Sequence, residues 1–355
     1  MLPIIDGHND TLLHLHDPRR GAGEDFLTGP TSGHLDLLRA RAGGLAGGFF
    51  AIFVPPDPAL PEPPNQGAIF TADGYEVPLP PAIDPGYAQR ETIAMMAELF
   101  QLEARSGGQL KVVRAVDELV AALDAGVLGI ILHVEGAEAL DPDLDALEVF
   151  YRAGLRSLGP VWSRPNLFGQ GVPFRYPGSP DGGPGLSEAG RALVRACNRL
   201  GIMLDLSHLN EPGFRDVAAL SDVPLVVSHA GAHALCPIPR NLTDAELDAV
   251  GDSDGVVGIV FEVGMLRADG RFDVDTPLDE IARHVDYVAN RIGIDHVAFG
   301  SDFDGTDALP RELGDVSGFP RLIEVLRRRG YDDAALRKLS SENWLRVLRR
   351  TWKDG

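Results

Sequence analysis

The sequence predicts an α/β fold, a (β/α)8 barrel of parallel strands alternating with helices. Two observations predict it. Eight short apolar or β-branched runs recur along the chain, and the segments between them repeat apolar residues every three or four positions. A third observation narrows the choice. No GxGxxG follows the first run, which disfavours the competing arrangement, an open doubly wound sheet that binds a nucleotide.

The runs lie at 3–8 (PIIDGH), 48–54 (GFFAIFV), 128–135 (LGIILHVE), 155–161 (LRSLGPV), 202–208 (IMLDLSH), 224–229 (PLVVSH), 256–261 (VVGIVF) and 297–302 (VAFGSD). Helices are expected at 87–104, 116–124, 144–152, 187–200, 210–220, 243–250 and 277–291, with closing helices at 319–329, 332–339 and 342–351. Ser187 is placed to cap one helix, and Thr243 with Glu246 forms a T-x-x-E capping box for another. Two Pro- and Gly-rich segments interrupt the alternation, at about 55–85 and 168–185. They follow the second and fourth strands, and in a barrel those ends face the active site. With no repeat, low-complexity tract or linker, residues 1–355 are expected to form a single barrel domain.

Composition excludes several functions. Apolar residues make up 44% of 355 positions, enough for a large core. Thirty-two Lys plus Arg against 52 Asp plus Glu give a net charge of −20. That balance opposes binding to nucleic acid phosphates and to anionic membrane surfaces. No run approaches the ~18–20 apolar residues of a membrane span. MLPIIDGHND has no basic n-region, so the expected location is cytoplasmic. The two cysteines, Cys197 and Cys236, form no CxxC motif.

The chemistry collects at strand ends. His8 and Asp10 close the first run, two positions apart and therefore on one face of an extended chain. Glu135 ends the third run, His208 the fifth, His229 the sixth and Asp302 the eighth. Each has a structural explanation alone: a core histidine, a cap, an ion pair. Together they would bury like charges at one rim, a cost that a divalent cation removes. Imidazole plus carboxylate suits Zn(II), with Mn, Co or Fe(II) as alternatives. Six candidate ligands are too many for one tetrahedral zinc, and two metals sharing a carboxylate are more economical.

The ordered series DGHND, VEGA, LDLSH, VVSHAGAH, PRNLTD and GSDFDG resembles the membrane (renal) dipeptidase family of the amidohydrolase superfamily over nearly the whole chain. The resemblance implies a (β/α)8 barrel with a binuclear zinc site. It implies that His8 and Asp10 bind one zinc, His208 and His229 the other, and that Glu135 bridges them. It further implies that Asp302 is the acid/base and that Arg240 binds the terminal carboxylate of a dipeptide. Tolerance of a D-residue at the C-terminal position and a homodimer are implied in the same way. Many other amidohydrolases bridge their metals with a carboxylated lysine; none of Lys111, Lys338 and Lys353 ends an expected strand, which leaves Glu135.

One departure stands out. Eukaryotic members carry a substrate-binding histidine after the fourth strand, where this chain has SLGPVWSRPN with Trp162 at the corresponding position. Trp162 or the nearby Arg164 is expected to take over part of that role. The competing functions are hydrolysis of another small amide or lactone, such as an N-acyl amino acid, and a non-catalytic binding barrel. His14, His16, His34, His133, His233, His284 and His296 are expected to be structural, with His133 the first exception because it shares the face of Glu135.

Overall fold

The computed structural model describes residues 2–57 and 67–353. Its centre is a curled parallel sheet in two parts. The first part pairs β1 (Ile4–Asn9), β2 (Leu45–Phe53), β3 (Leu128–Glu135), β4 (Ser157–Gly159) and β5 (Met203–Leu204) in that order. The second pairs β6 (Val226–Ala230), β7 (Val256–Ile259) and β8 (Val297–Phe299). Single parallel bridges, Asp205 to Val226 and Asn9 to Phe303, stand between the edges of the two parts. All eight correspond to the expected runs. β4 and β5 are shorter than expected, since the chain leaves the ladder early to form the loops that carry Trp162 and His208.

The core has two layers. Ile5, Phe49, Ile131, Met203, Val226, Val256 and Ala298, each from a different strand, pack with Trp344, Val347 and Leu348 of the C-terminal helix Asn343–Thr351. The larger cluster lies between the strands and the surrounding helices. This double burial explains why the strands read as continuous apolar runs rather than as alternation. The capping predictions hold. Ser187 accepts from Gly190 N–H, and Thr243 and Glu246 make the reciprocal box.

Three features depart from the expectations. Leu110–Val112 forms an extra strand beside the start of β3, too short to register as a run. The closing helices are continuous, because a π-turn at Lys338–Glu342 joins Asp333–Arg337 to Asn343–Thr351. The two long loops are partly ordered into one antiparallel sheet, Ile69–Phe70 with Tyr75–Val77 with Phe174–Tyr176. Residues 58–66 of the first loop, within the Pro-rich stretch expected at about 55–85, lie outside the described residues. No helix among the described residues is long and apolar enough to cross a membrane.

Trp344 is fully buried, its ring 5.0 Å from Phe49 and its Nε1–H donating to Phe299 O. Trp344→Ala is expected to lower unfolding free energy by about 3–5 kcal/mol, measured by urea denaturation.

Candidate functional site

The strand ends bring six side chains to one place. Glu135, the last residue of β3, points its Oε1 among three imidazoles. It lies 3.0 Å from His208 Nε2, 3.6 Å from His229 Nε2 and 3.7 Å from His8 Nε2. None of these approaches is a hydrogen bond, and Oε1 is a buried acceptor with no partner. Asp10 Oδ2 is 3.3 Å from His8 Nε2. Asp10 also occupies the N-cap of helix Thr11–His16, yet its side chain does not cap, and its Oδ1 is buried and unpartnered. Three ligand groups, each compact within 4.8 Å, emerge at this rim: His8, Asp10 and Glu135; Glu135, His208 and His229; and His8, His229 and Asp302.

The backbone is bent to make this possible. His208 and Asp302 have φ of 67° and 62°, the left-handed region that non-glycine residues rarely adopt. Strain of that kind persists where the surrounding structure over-determines it, commonly at functional sites. Gly305 is needed beside them, because a Cβ there would overlap the Asp302 and Asp10 carboxylates. The Asp302 carboxylate makes no hydrogen bond among the described residues, so it is not a turn cap.

His208 and His229 are each held by the other ring nitrogen. His208 Nδ1 is 2.7 Å from Ser163 Oγ. His229 Nδ1 is 2.8 Å from Ser228 Oγ, whose hydroxyl donates to Asp205 Oδ2 at 2.5 Å. Because that proton goes to Asp205, His229 Nδ1–H must be the donor, which leaves the Nε2 lone pair facing Glu135. Metal-binding histidines are oriented in this way.

Burial governs the protonation of the cluster. It pushes Glu135 up to about 8 and Asp302 well above the carboxylate range. It holds His208 and His229 well below the usual imidazole value, reinforced by Arg240 and His8. At His8 burial acts downward, but Glu135, Asp10 and Asp302 outweigh it and raise the imidazole to about 10. The unpartnered Oε1 and Oδ1 atoms, the lone pairs turned inward and the mixed imidazole–carboxylate set fit one or more divalent metals.

The remaining sequence-derived residues divide. Arg240 is buried, its Nη2 donating to His229 O at 3.3 Å and its Nε unpartnered. Trp162 is partly exposed, with its ring 5.7 Å from His208, 5.6 Å from Phe174 and 4.9 Å from Phe53. Arg164, expected to face substrate, is instead 1% exposed. Its Nε donates to Glu138 Oε1 at 2.8 Å and its Nη2 to Val54 O. Its guanidinium lies under Trp162 and Phe53, at 5.4 and 5.1 Å. A lone buried guanidinium needs a carboxylate, and Glu138 supplies it. Sequence reasoning missed Asp205, Ser163 and Ser228. Asp205 stands three residues before His208 and Ser228 directly before His229, and a search for acceptors beside each histidine would have found both. His14, His16, His233, His284 and His296 pair with side chains or carbonyls elsewhere, and His34 Nδ1 accepts from Asp304 N–H.

The family model for membrane dipeptidase (peptidase family M19) matches residues 1–353. The fold is similar to that of a solved dipeptidase AC, a metallopeptidase of family M19, at 49% identity and TM-score 0.93, covering 99% of each chain. It is equally similar to a metallopeptidase from Rhodobacter sphaeroides liganded with a phosphinate mimic of the dipeptide L-Ala-D-Ala, at 48% identity, TM-score 0.92 and 99% coverage of each. The uncharacterized protein in the pqqA 5′ region of Klebsiella pneumoniae is 51% identical over 259 residues, 73% of this chain and 95% of that protein.

The electrostatics fix the sign of a pH response in metal-free protein. Above pH 7, His208 and His229 are neutral folded or unfolded and add no slope. Folded Glu135 keeps its proton up to about 8 and His8 up to about 10, against ordinary values of 4.5 and 6.5. The folded state then binds more protons, so stability present at low pH is lost as pH rises from 7 to 10. Chelator-treated protein is expected to unfold at lower urea at pH 9 than at pH 7, and saturating divalent metal to flatten the difference.

Proposed function

The chain belongs to the membrane dipeptidase family and is a metal-dependent dipeptidase; from that premise we propose that it is a binuclear zinc enzyme that tolerates a D-residue at the C-terminal position of its dipeptide. Glu135 carries the reading. Glu135 belongs both to the group with His8 and Asp10 and to the group with His208 and His229, and its buried Oε1 has no hydrogen-bond partner. One carboxylate common to two ligand sets suits two metals, with Zn(II) preferred and Mn, Co or Fe(II) compatible. The relative that holds an L-Ala-D-Ala mimic supports the stereochemical part. The two sheet parts are read as one single-domain (β/α)8 barrel over 1–355. A cytoplasmic location and a homodimer complete the proposal.

Metals held there would supply an acidified water and a Lewis acid for the scissile carbonyl. The protein's own groups do the rest. Asp302, raised by burial and free of hydrogen bonds, takes the proton of the attacking water and returns it to the leaving amine. Arg240, with its unpartnered Nε, grips the substrate's terminal carboxylate. The acidic side of the cluster, Asp10 and Glu135, receives the free amino group. Recognition of both ends limits the substrate to two residues. Trp162 walls the His208 side and offers one N–H donor, and Arg164 positions that ring instead of touching substrate. A preference for N-acyl amino acids is the second reading, favoured by the replacement of a substrate-binding histidine with Trp162.

Asp302→Asn is expected to lower kcat by about 10²–10⁴-fold with metal content nearly unchanged, read by steady-state kinetics beside elemental analysis. Equal loss of both would make Asp302 chiefly a ligand. Arg240→Ala is expected to lower kcat/KM for dipeptides by about 10–100-fold, mostly through KM, and to erase discrimination against dipeptide amides. The decisive experiment measures metal per chain together with cleavage of L,L- and L,D-dipeptides and N-acyl amino acids. About two zincs with chelator-sensitive dipeptide cleavage is the expected result. Two zincs with cleavage of N-acyl amino acids alone would install the second reading.

A further inference from the structure

Behind the ligand cluster lies a second group of buried polar atoms. A ring nitrogen of His8, one of His133 and an Asp205 carboxylate oxygen lie within 4.8 Å of one another, all fully enclosed. His133 Nδ1 is fixed by Ser157 Oγ at 2.8 Å, and its Nε2 is 3.6 Å from Asp205 Oδ2. Both His133 Nε2 and His8 Nδ1 are buried without a hydrogen-bond partner. The His8 and His133 rings meet edge-on at 5.4 Å. His8 turns Nε2 toward Asp10 and Glu135, so its Nδ1 is the nitrogen that needs an orienting acceptor.

Asp205 is the hub of this layer. Its Oδ1 accepts from Ser207 N–H, Ser207 Oγ–H and Ser228 N–H, at 3.1, 2.8 and 2.7 Å. Its Oδ2 accepts from Ser228 Oγ–H, which receives His229 Nδ1–H. One arm from Asp205 therefore reaches His229 through Ser228. The other side of Oδ2 faces His133 and, beside it, His8. We propose that Asp205 is a shared positioning residue for both metal positions, orienting His229 through Ser228 and His8 together with His133.

Two unpartnered nitrogens in one dry cluster are costly unless a trapped water satisfies them. With His133 Nδ1 anchored on Ser157, a water that accepts His8 Nδ1–H can donate to both His133 Nε2 and Asp205 Oδ2, so every lone pair in the group faces a proton. This assigns a use to His133, the one histidine on the Glu135 face that supplies no ligand to the three groups at the rim. It also links the two positions. A disturbance at Asp205 would reach one ligand of each, whereas His208 is held independently by Ser163.

The inference rests on the two-metal reading, and its test separates the two. Zinc affinities of the full-length protein are measured by chelator competition, with stoichiometry by elemental analysis, for wild type, Ser228→Ala, His133→Gln and Asp205→Asn. Wild type with fewer than two metals would overturn the two-metal reading and this inference with it. Given two metals, Ser228→Ala is expected to weaken one position by about 10–100-fold, His133→Gln the other, and Asp205→Asn both. A slowly exchanging His8 Nδ1–H resonance in the zinc-loaded protein is expected to vanish in His133→Gln. Unchanged affinities in His133→Gln, or loss of the same position in His133→Gln and Ser228→Ala, would overturn the inference while leaving the metal site intact. Should Asp205→Asn fail to fold, the two single-arm variants decide it alone.

Discussion

A buried carboxylate oxygen among three imidazole nitrogens is the constraint on which this structure depends. Glu135 Oε1 accepts no hydrogen bond, yet three Nε2 atoms stand 3.0–3.7 Å from it. In a dry interior such a group is tolerated only with compensating positive charge. Much of the surrounding architecture reads as a means of holding it there. β3 delivers Glu135 at its last position, β1 and β6 deliver His8 and His229, and the chain beyond β5 and β8 bends through positive φ to deliver His208 and Asp302. Gly305 leaves room for two carboxylates to lie side by side.

Orientation comes from a layer of small polar residues beneath the rim. Ser228 and Asp205 fix which nitrogen of His229 carries the proton, and Ser163 holds His208 by its Nδ1. Asp6 performs a related service at the seam between β1 and β8. Its two oxygens accept from Ser301 N–H and Oγ–H at 2.7 Å, which locks the start of the DGHND segment against the GSDFDG segment. Burial raises Asp6 to about 6 despite these bonds, so it too is held by geometry more than by solvation. Short hydroxyl and carboxylate arms lose little side-chain freedom when ordered, and this makes them economical supports.

The outer wall has a different logic. The long loops after the second and fourth strands pair with each other in the small antiparallel sheet, and Phe174 from that sheet meets Trp162. Trp162 is clamped between aromatic neighbours above and the Arg164 guanidinium below. A large rigid ring with one donor lines this wall, so it contributes shape more than charge. The buried Arg164–Glu138 pair sits where it can set the tilt of that ring.

The sequence by itself determined the α/β alternation, the eight strand positions, the capping of the helices at Ser187 and Thr243, and the gathering of His8, Asp10, Glu135, His208, His229 and Asp302. These are legible because strand burial on both faces leaves contiguous apolar runs, and because polar residues that break such runs at their ends have few structural uses. Tertiary structure alone decided the rest. The ladder between Tyr75–Val77 and Phe174–Tyr176 depends on partners far apart in the chain, so neither loop announces it. Arg164 looked like a substrate contact because an arginine beside a strand end has no visible partner in sequence; only folding brings Glu138 within 2.8 Å. The proton position on His229, the anchoring of His208 and the reach of Asp205 toward His133 follow from distances between strands, which no local pattern encodes.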